Sequence, residues 1–467
     1  MSAPLETDYL VIGAGLAGLA FADAIVAAGG DATVTLVDKR HAVGGHWLDA
    51  YPFVRLHQPS RHYGILSMPL GDDTIATHGI DAGRYQRASG AAILAHFDRV
   101  LRERLLPSRR VRFLSRTEYL GEGRLRSLAS GEVTEVKVTR RLVDARFLEG
   151  GIPATSQTPF EVAEGVRVVT PNELPKVDAP SEGFVVIGAG KTAMDSVQFL
   201  LDQGVSAARI RWIRSQDVWV TNREYFHGGA FVAKVKEGVA MQLEAAAAAT
   251  DIDDYMDRLH DAGYLLCLDP ARRPTAYRGA TCHPDEIARL REVKSVIRMG
   301  HVKRIETDRI VLEEGEVPTS KGWVHVHCAA PAIRERKPMP IFGEDRITMQ
   351  YVRTLTPSFS FALIGFLEAS ERSDAEKNAL AAPNPADPTP RGWIRSTLQS
   401  FGQGAQWRKH ADLRRWLDGN RLDVMCGMAA AKHTPEGQAV SQRVRAAMAT
   451  GGAGLMRLAQ PAAKKAA

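Results

Sequence analysis

Two glycine-rich turns of one design, each fed by an apolar run and followed by a helical stretch, constrain this 467-residue chain more than any other feature. The first reads Leu10-Val11-Ile12-Gly13-Ala14-Gly15-Leu16-Ala17-Gly18, the second Val185-Val186-Ile187-Gly188-Ala189-Gly190-Lys191-Thr192-Ala193. In a strand-turn-helix unit of this kind the first glycine makes the tight turn and the second lets backbone approach a pyrophosphate. A small third residue lets helix and strand pack closely. The phosphates then rest on the helix N-terminus. Gly18 and Ala193 both meet the third requirement. Two dinucleotides are expected.

The next strand of each unit separates the two copies. Residues 32–37 end in Asp38, the acidic position about 20 residues on that accepts ribose hydroxyls. Residues 209–213 end instead in Arg214 and Ser215, and a guanidinium there suits a 2′-phosphate. On these residues the first site reads as FAD or NAD and the second as NADP; a solvated strand-end arginine is the other reading of Arg214. Lys191 and Thr192 open the second helix, beside the pyrophosphate or in solvent. Gly190-Lys191-Thr192 also resembles the end of a nucleoside-triphosphate loop, but that motif needs a glycine at position 185, where Val185 stands.

The length allows two or three domains with ample core. The 60 basic and 54 acidic residues are spread along the chain, and the resulting net charge of +6 points to neither nucleic acid nor membrane. Residues 1–9 are too short and polar for a signal peptide and no apolar run approaches a membrane span, so a cytoplasmic enzyme is expected. Cys267, Cys282, Cys328 and Cys426 form no C-x-x-C pair, which argues against a disulfide framework, a zinc ribbon and a dithiol centre. The 14 histidines form no paired helix face, so no metal is expected.

Apolar spacing predicts helices over 16–28 and 88–106, and short strands over 111–114 and 133–138 in a small antiparallel crossover sheet. A proline-spaced linker follows over 152–180. Beyond the second unit, one helical stretch is expected over 235–265, then strands over 296–307, 309–312, 324–328 and 359–365. A proline-rich break over 381–390 leads into a helical region containing Trp393, Trp407 and Trp416, and the run 462–467 reads as a frayed tail. The fold class is therefore α/β, with two Rossmann-like dinucleotide-binding domains, the second inserted in the first, and a C-terminal helical region. The boundaries are 1–165 and 321–380 for the first domain, 166–320 for the second and 381–467 for the C-terminal region.

Further motifs accompany the fingerprints: Gly44-Gly45-x-Trp47, Tyr51-Pro52-x-x-Arg55-Leu56-His57-Gln58-Pro59, Val326-His327-Cys328-Ala329-Ala330 and Leu363-Ile364-Gly365-Phe366. With them, residues 8–368 resemble the flavin-dependent monooxygenases with two dinucleotide-binding domains, the group of the flavin-containing, N-hydroxylating and Baeyer-Villiger enzymes. The resemblance implies FAD at Gly13, Gly15, Gly18 and Asp38, and NADPH at Gly188, Gly190, Lys191, Thr192, Arg214 and Ser215. It implies a reaction in which NADPH reduces the flavin, O2 adds as a flavin hydroperoxide, and one oxygen atom passes to a small organic substrate.

By the same resemblance Gly45, His46 and Trp47 cover the flavin, core packing being compatible with this for Trp47, and Arg55 meets the FAD phosphates or a substrate carboxylate, with a surface salt bridge as its other reading. Gly365 closes the last strand of the flavin domain. His57 and Gln58 are the catalytic candidates, placed to donate hydrogen bonds beside the flavin ring; stabilising their own loop is the alternative. Trp219, Asn222, Arg223, Tyr225 and His227 would border the nicotinamide and substrate cavity, or form an ordinary loop packed against the flavin domain, and Cys328 reads as an inert buried thiol. The chain departs from the group in three places. It lacks an F-x-G-x-x-x-H signature before the second fingerprint, has Asp144-Ala145-Arg146 where an Ala-Thr-Gly-like turn is usual, and has no glycine at Ala329-Ala330. A flavoprotein reductase or oxidase using NAD(P)H without oxygen insertion, and a non-catalytic FAD/NADP-binding sensor, are the competing readings. Substrate, oxygenated atom and oligomeric state are written in no motif.

Overall fold

The computed structural model of the chain describes residues 5–330, 336–353 and 356–460, so the expected tail at 462–467 lies outside the described residues. Leu5–Ile12 (β1), Val34–Val37 (β2) and Val111–Leu114 (β3) form a parallel ladder with β2 in the middle. Leu16–Ala27 (α1) follows β1, and Gly90–Arg99 (α2) is capped by Ser89, whose hydroxyl accepts from Ala92 N at 3.2 Å. Thr117–Gly121 (β4), Arg124–Ser127 (β5) and Val133–Asp144 (β6) make an antiparallel meander. The long β6 then runs inward to pair parallel with β1. Thus β3 belongs to the parallel sheet and not to the crossover sheet expected for it. A four-residue strand carries no mark of its partner, and Val111 is drawn into the first core.

Glu161–Val162 (β7) and Val168–Val169 (β8) interrupt the stretch expected as a linker. Gly183–Ile187 (β9), Lys191–Asp202 (α3) and Ile210–Ile213 (β10) form the second fingerprint unit. Val218–Asn222 (β11), Leu265–Leu266 (β12) and Ala276–Cys282 (β13) build a small sheet beside it. The single helix expected over 235–265 is two, Val232–Ala248 (α4) and Ile252–Asp261 (α5). Asp251 ends the first by capping the second, its carboxylate accepting from Asp254 N at 2.9 Å.

After Pro284–Leu290 (α6), the strand expected over 296–307 also divides, into Ser295–Ile297 (β14) and Val302–Ile305 (β15). The chain turns between them at Gly300, whose φ of +75° favours glycine. Arg309–Leu312 (β16) and Gly315–Pro318 (β17) continue the β15 sheet, joined at its edge by β7. Trp323–His327 (β18) completes the parallel sheet of the second unit, in the order β14-β10-β9-β18-β8.

The chain then returns to the first sheet, where Arg346–Thr348 (β19) pairs parallel with β6. Residues 359–365, expected as a strand, form the middle of a helix, Pro357–Glu368 (α7). An unbroken apolar run has no period to separate a buried strand from a buried helix, and Pro357 suits a helical first turn. Asp374–Leu380 (α8), Pro390–Trp407 (α9), Ala411–Asp418 (α10), Met428–Ala431 (α11) and Pro435–Ala459 (α12) follow. Helix α9 ties the two units together. Trp393 near its start packs among Tyr255, Tyr264 and Tyr277 of the second unit. Trp407 at its end lies in the first core beside Phe359 and donates Nε1 to Leu380 O at 2.6 Å.

Candidate dinucleotide sites and the cleft between them

The first fingerprint leaves β1 at Gly13, whose φ of +106° favours glycine. A Cβ on Gly18 would stand 2.0 Å from Gly13 O, so helix and strand close only around glycine. Gly15 heads α1 with no side-chain cap, which leaves the first-turn N–H groups for a ligand. A second loop folds over this turn. Gly44 N donates to Ala14 O at 3.0 Å, and a Cβ on Gly15 would lie 3.3 Å from Gly45 Cα. The stem of Arg146, at the end of β6, rests on Gly13 from the other side. The cradle is backbone on the faces a pyrophosphate would approach, and it fits a dinucleotide.

Asp38 stands at the end of β2, buried, with Oδ2 accepting from Ala14 N at 2.8 Å and Oδ1 from Arg40 N at 2.9 Å. Each oxygen keeps a further lone pair, so ribose hydroxyls would meet a carboxylate already fixed to the turn. His46 is exposed, yet the surrounding protein desolvates its ring and, with Arg40, lowers its pKa. Both hold for a side chain lining a crevice. Its neighbour Trp47 donates Nε1 to Tyr63 OH at 2.7 Å.

Two more residues expected at this site have protein contacts of their own. Arg55 is exposed and donates to Arg87 O at 3.1 Å. Gly365 belongs to α7, where a Cβ would stand 2.5 Å from Ala24 Cβ of α1. It is a packing glycine between helices, and the last strand beside the site is β19, which leads to Tyr351.

In the second fingerprint Gly188, at φ +144°, donates N–H to Ile213 O at 3.0 Å and accepts from Trp212 Nε1 at 2.8 Å. Gly190 heads α3, and a Cβ on it would meet nothing within 4 Å. Thr192 and Ser215 are half-buried beside this turn and strand end. Arg214 is turned inward instead of lying solvated at the strand end. Its side chain is 3% exposed, 3.3 Å from the Asp217 carboxylate. Burial, only partly offset by Asp217, brings its pKa down to about 10.

The two units face each other across a cleft, bridged by the loop after Trp47. Tyr51 donates its hydroxyl to Asp195 Oδ2 at 2.7 Å, and Phe53 stacks on Phe199 with centroids 4.3 Å apart, both partners being on α3. Lys191, at the start of α3, pairs with Asp195 and stands 4.0 Å from Glu286. His57 O accepts from Arg223 Nε at 2.6 Å and from Thr281 Oγ1 at 2.7 Å. Arg223, 1% exposed, also holds Glu286 at 2.5 Å and Asp81 at 3.5 Å. Arg87 joins the same carboxylates, at 2.9 Å from Asp81 and 3.7 Å from Glu286.

Three cations therefore meet three carboxylates in a largely buried cluster. Burial would raise the Glu286 pKa, but Arg223, Lys191 and Arg87 carry it down to about 2. Burial opposes the Lys191 ammonium, yet Asp195 holds its pKa above the ordinary lysine value. Burial first, and then the charge of Lys191, brings the His57 imidazole down to about 3, so it is neutral near pH 7.

The structure thus ties His57, through its carbonyl, to Arg223 and Thr281 of the second unit. Gln58 donates one hydrogen bond within its own loop, from Nε2 to His62 O at 3.2 Å. Of the group after β10, Arg223 reaches the cleft, whereas Trp219 and Tyr225 pack into the helical core beneath α4 and α5. Asp81, Arg87, Asp195, Thr281 and Glu286 come from three separate stretches of the chain, 81–87, 195 and 281–286, and share no motif. Burial pushes the Cys328 thiol up to about 12, where it is inert. A separate cavity of about 390 Å³ opens beyond the ends of β6 and β19, walled by Phe147, Leu148, Tyr351, Pro385 and Pro388. Among the described residues no helix is long and apolar enough to cross a membrane.

A family described as NAD(P)-binding Rossmann-like domain matches residues 11–59, the whole of the first turn and its covering loop. "Uncharacterized protein Rv2000" of Mycobacterium tuberculosis (strain ATCC 25618 / H37Rv) is 42% identical over 425 residues, covering 91% of this chain and 79% of that protein. "Uncharacterized protein Mb2023" of Mycobacterium bovis (strain ATCC BAA-935 / AF2122/97) aligns with the same identity and coverage. Among solved structures, the Polycyclic Ketone Monooxygenase from Thermothelomyces thermophila superposes with a TM-score of 0.51 at 12% identity, over 96% of this chain and 89% of its own. The chain belongs to the family of the mycobacterial protein Rv2000, and its fold is that of the flavin-dependent monooxygenases with two dinucleotide-binding domains.

Proposed function

We propose that the protein is an FAD-containing, NADPH-dependent oxidoreductase that inserts one oxygen atom from O2 into a small organic substrate. One observation carries this reading. Both fingerprint turns stand at the carboxyl ends of parallel strands, where such sheets bind ligands, and their units meet across one cleft through Tyr51, Asp195 and Lys191. Two dinucleotides seated on facing walls have the arrangement that hydride transfer requires. The domain of residues 1–165 with 321–380 holds FAD, that of 166–320 holds NADPH, and α9, within the C-terminal region 381–467, straps the two. The reading places the protein in the cytoplasm.

The flavin, when bound, supplies the electron and oxygen chemistry that no side chain can. The chain's own residues bind, orient and exclude water. Gly13, Gly15, Gly18 and Gly45 clear the way for backbone N–H groups to reach the FAD pyrophosphate, Asp38 accepts from its ribose, and His46 and Trp47 cover it. Gly188, Gly190, Thr192 and Ser215 seat NADPH, with Arg214 for its 2′-phosphate. His57, neutral, offers one N–H donor and one acceptor, beside the ammonium of Lys191. Arg55 and Gln58 hold the loop that carries His57. The cavity at Phe147 and Tyr351, mostly apolar in its walls, takes the substrate.

The test is a rapid-mixing absorbance experiment on purified protein reduced anaerobically with NADPH and then mixed with O2. A transient spectrum distinct from both reduced and oxidised flavin is the expected outcome. Direct return to the oxidised spectrum, with or without candidate substrates, supports a reductase or oxidase instead. Failure of NADPH to reduce the flavin supports a sensor.

A further inference from the structure

Arg214 is buried and short of partners. A guanidinium has five donors, yet its Nε meets no acceptor, and Oδ1 of Asp217, the carboxylate oxygen facing it at 3.3 Å, also makes no hydrogen bond. A charge taken out of water in this way is costly unless a well-matched anion satisfies it. Its place is fixed by Trp212, two residues earlier on the same strand face. The Arg214 guanidinium lies 5.0 Å from the Trp212 ring centroid, and Trp212 Nε1 in turn donates to Gly188 O at 2.8 Å. The unsatisfied cation is thereby anchored to the first glycine of the second nucleotide turn.

Asp217 is held from its far side. Arg298 bonds Asp217 at 2.9 Å and Asp269 at 2.8 Å. Two arginines and two carboxylates balance, so the group presents no net positive charge to an arriving phosphate. A phosphate with three acceptor oxygens would satisfy more Arg214 donors than the single long contact to Asp217 does.

We propose that Asp217 is a specificity-determining residue of the second site: it serves as the internal counter-ion of Arg214 and competes with the 2′-phosphate of NADPH for that guanidinium. Binding of the phosphorylated coenzyme exchanges one ion pair for another, and NADH binds without the exchange. Asp217 therefore makes the empty site tolerable and moderates the preference for NADPH. This rests on the reading of Arg214 as the 2′-phosphate ligand.

Calorimetric titration of the flavin-loaded protein with 2′,5′-ADP and with 5′-AMP tests it, with no turnover needed. Asp217→Asn should tighten 2′,5′-ADP by about tenfold, the effect of removing one close competing charge, and leave 5′-AMP unchanged. Asp217→Glu, which keeps the charge, should restore the wild-type ratio. In an Arg214→Ala background Asp217→Asn should have no effect on the ratio. Should Asp217→Asn not fold, Arg298→Gln frees Asp217 to engage Arg214 fully and should weaken 2′,5′-ADP severalfold without touching 5′-AMP. An unchanged ratio in Asp217→Asn, or in Arg298→Gln, while Arg214→Ala still weakens 2′,5′-ADP, overturns the role of Asp217 alone. No loss of 2′,5′-ADP binding in Arg214→Ala overturns the reading beneath it.

Discussion

Gly15 and Gly190 hold the same place in two copies of one turn, and their surroundings are opposite. A Cβ on Gly15 would be pressed against Gly45, whereas one on Gly190 would meet nothing within 4 Å. The first turn is roofed by the loop 44–47 and tied to its acid, Asp38 to Ala14 N. The second is open on that side, with Lys191 at its helix start drawn into an ion-pair cluster that faces the other unit. An enclosed seat suits a group that stays through every turnover, and an open one suits a coenzyme that must enter and leave. Two phrases that share Val-Ile-Gly-Ala-Gly yield both. What distinguishes them, beside the helix-start residues Leu16 and Lys191, is the structure packed over the turn, which the shared residues do not encode.

The sharpest way to break that comparison is to write the second copy into the first. The second unit carries Ala193 where the first carries Gly18, but a Cβ at Gly18 would stand 2.0 Å from Gly13 O. Gly18→Ala should therefore force α1 off β1 and abolish flavin retention, read as loss of visible absorbance in the purified protein. A yellow variant with one flavin per chain would show that the first turn is no tighter than the second.

Acid should come next in size, and it probes the packing around the cleft. His96 and His227 are buried, with pKa values brought down by burial to about 4 and about 3. In the unfolded chain each titrates near 6.5. Below that value the unfolded state binds protons that the folded state does not, so stability is complete above about pH 6.5 and falls as pH drops towards the folded values. At about 1.4 kcal/mol per histidine per pH unit, these two cost about 3 kcal/mol for each unit below 6.5, and His57 acts in the same direction. Glu286, held down to about 2, adds a further loss only below its unfolded value near 4.3. Melting temperatures measured between pH 7 and 5 should fall steeply; a flat profile would mean that these rings are reached by water.

The ion-pair cluster joining the units is the third test. Arg223→Ala leaves Asp81 with Arg87 but Glu286 only with Arg87 and Lys191 at 3.7 and 4.0 Å, and should cost about 3 kcal/mol by denaturant titration, the usual penalty for breaking a buried pair. Glu286→Ala should cost a similar amount, and the double variant less than the sum, because the two share one interaction. Additive losses would locate the stabilisation elsewhere and leave the cleft without a lock.

The parts of this molecule legible in the sequence are those whose cause is local. Each fingerprint fixes a strand end, a turn and a helix start within nine residues, and the α/β class with its C-terminal helices follows from such units in series. Where a neighbour decides, local pattern fails. Phe359 to Gly365 is apolar throughout and has no period, so nothing in it marks α7 as a helix against α1. Val111–Leu114 carries no sign that β2, and not β4, is its partner. The charged cleft is the extreme case, because Asp81, Arg87, Asp195, Arg223 and Glu286 come from loops and helices up to 205 positions apart and meet only after both units have folded. Arg214 shows the same limit at one residue. Its place at the strand end is local, and its burial against Asp217 and Trp212 is not.

The smallest effect is expected at Gly190, and it separates stability from binding. The residue has φ −92° and ψ −176°, extended backbone open to any side chain, and a Cβ there meets no protein atom within 4 Å. Gly190→Ala should therefore raise stability by about 0.4–1 kcal/mol through the unfolded chain's lost freedom. The added methyl would stand where the coenzyme pyrophosphate approaches the backbone, so the thermal shift produced by NADP+ should shrink even as the melting temperature without it rises. Gly15→Ala should do the reverse of the first half, losing both stability and flavin, because its methyl meets Gly45. If Gly190→Ala gains stability and keeps the full NADP+ shift, the open face of the second turn is not the coenzyme's seat, and the contrast between a closed site and an open one loses its functional meaning.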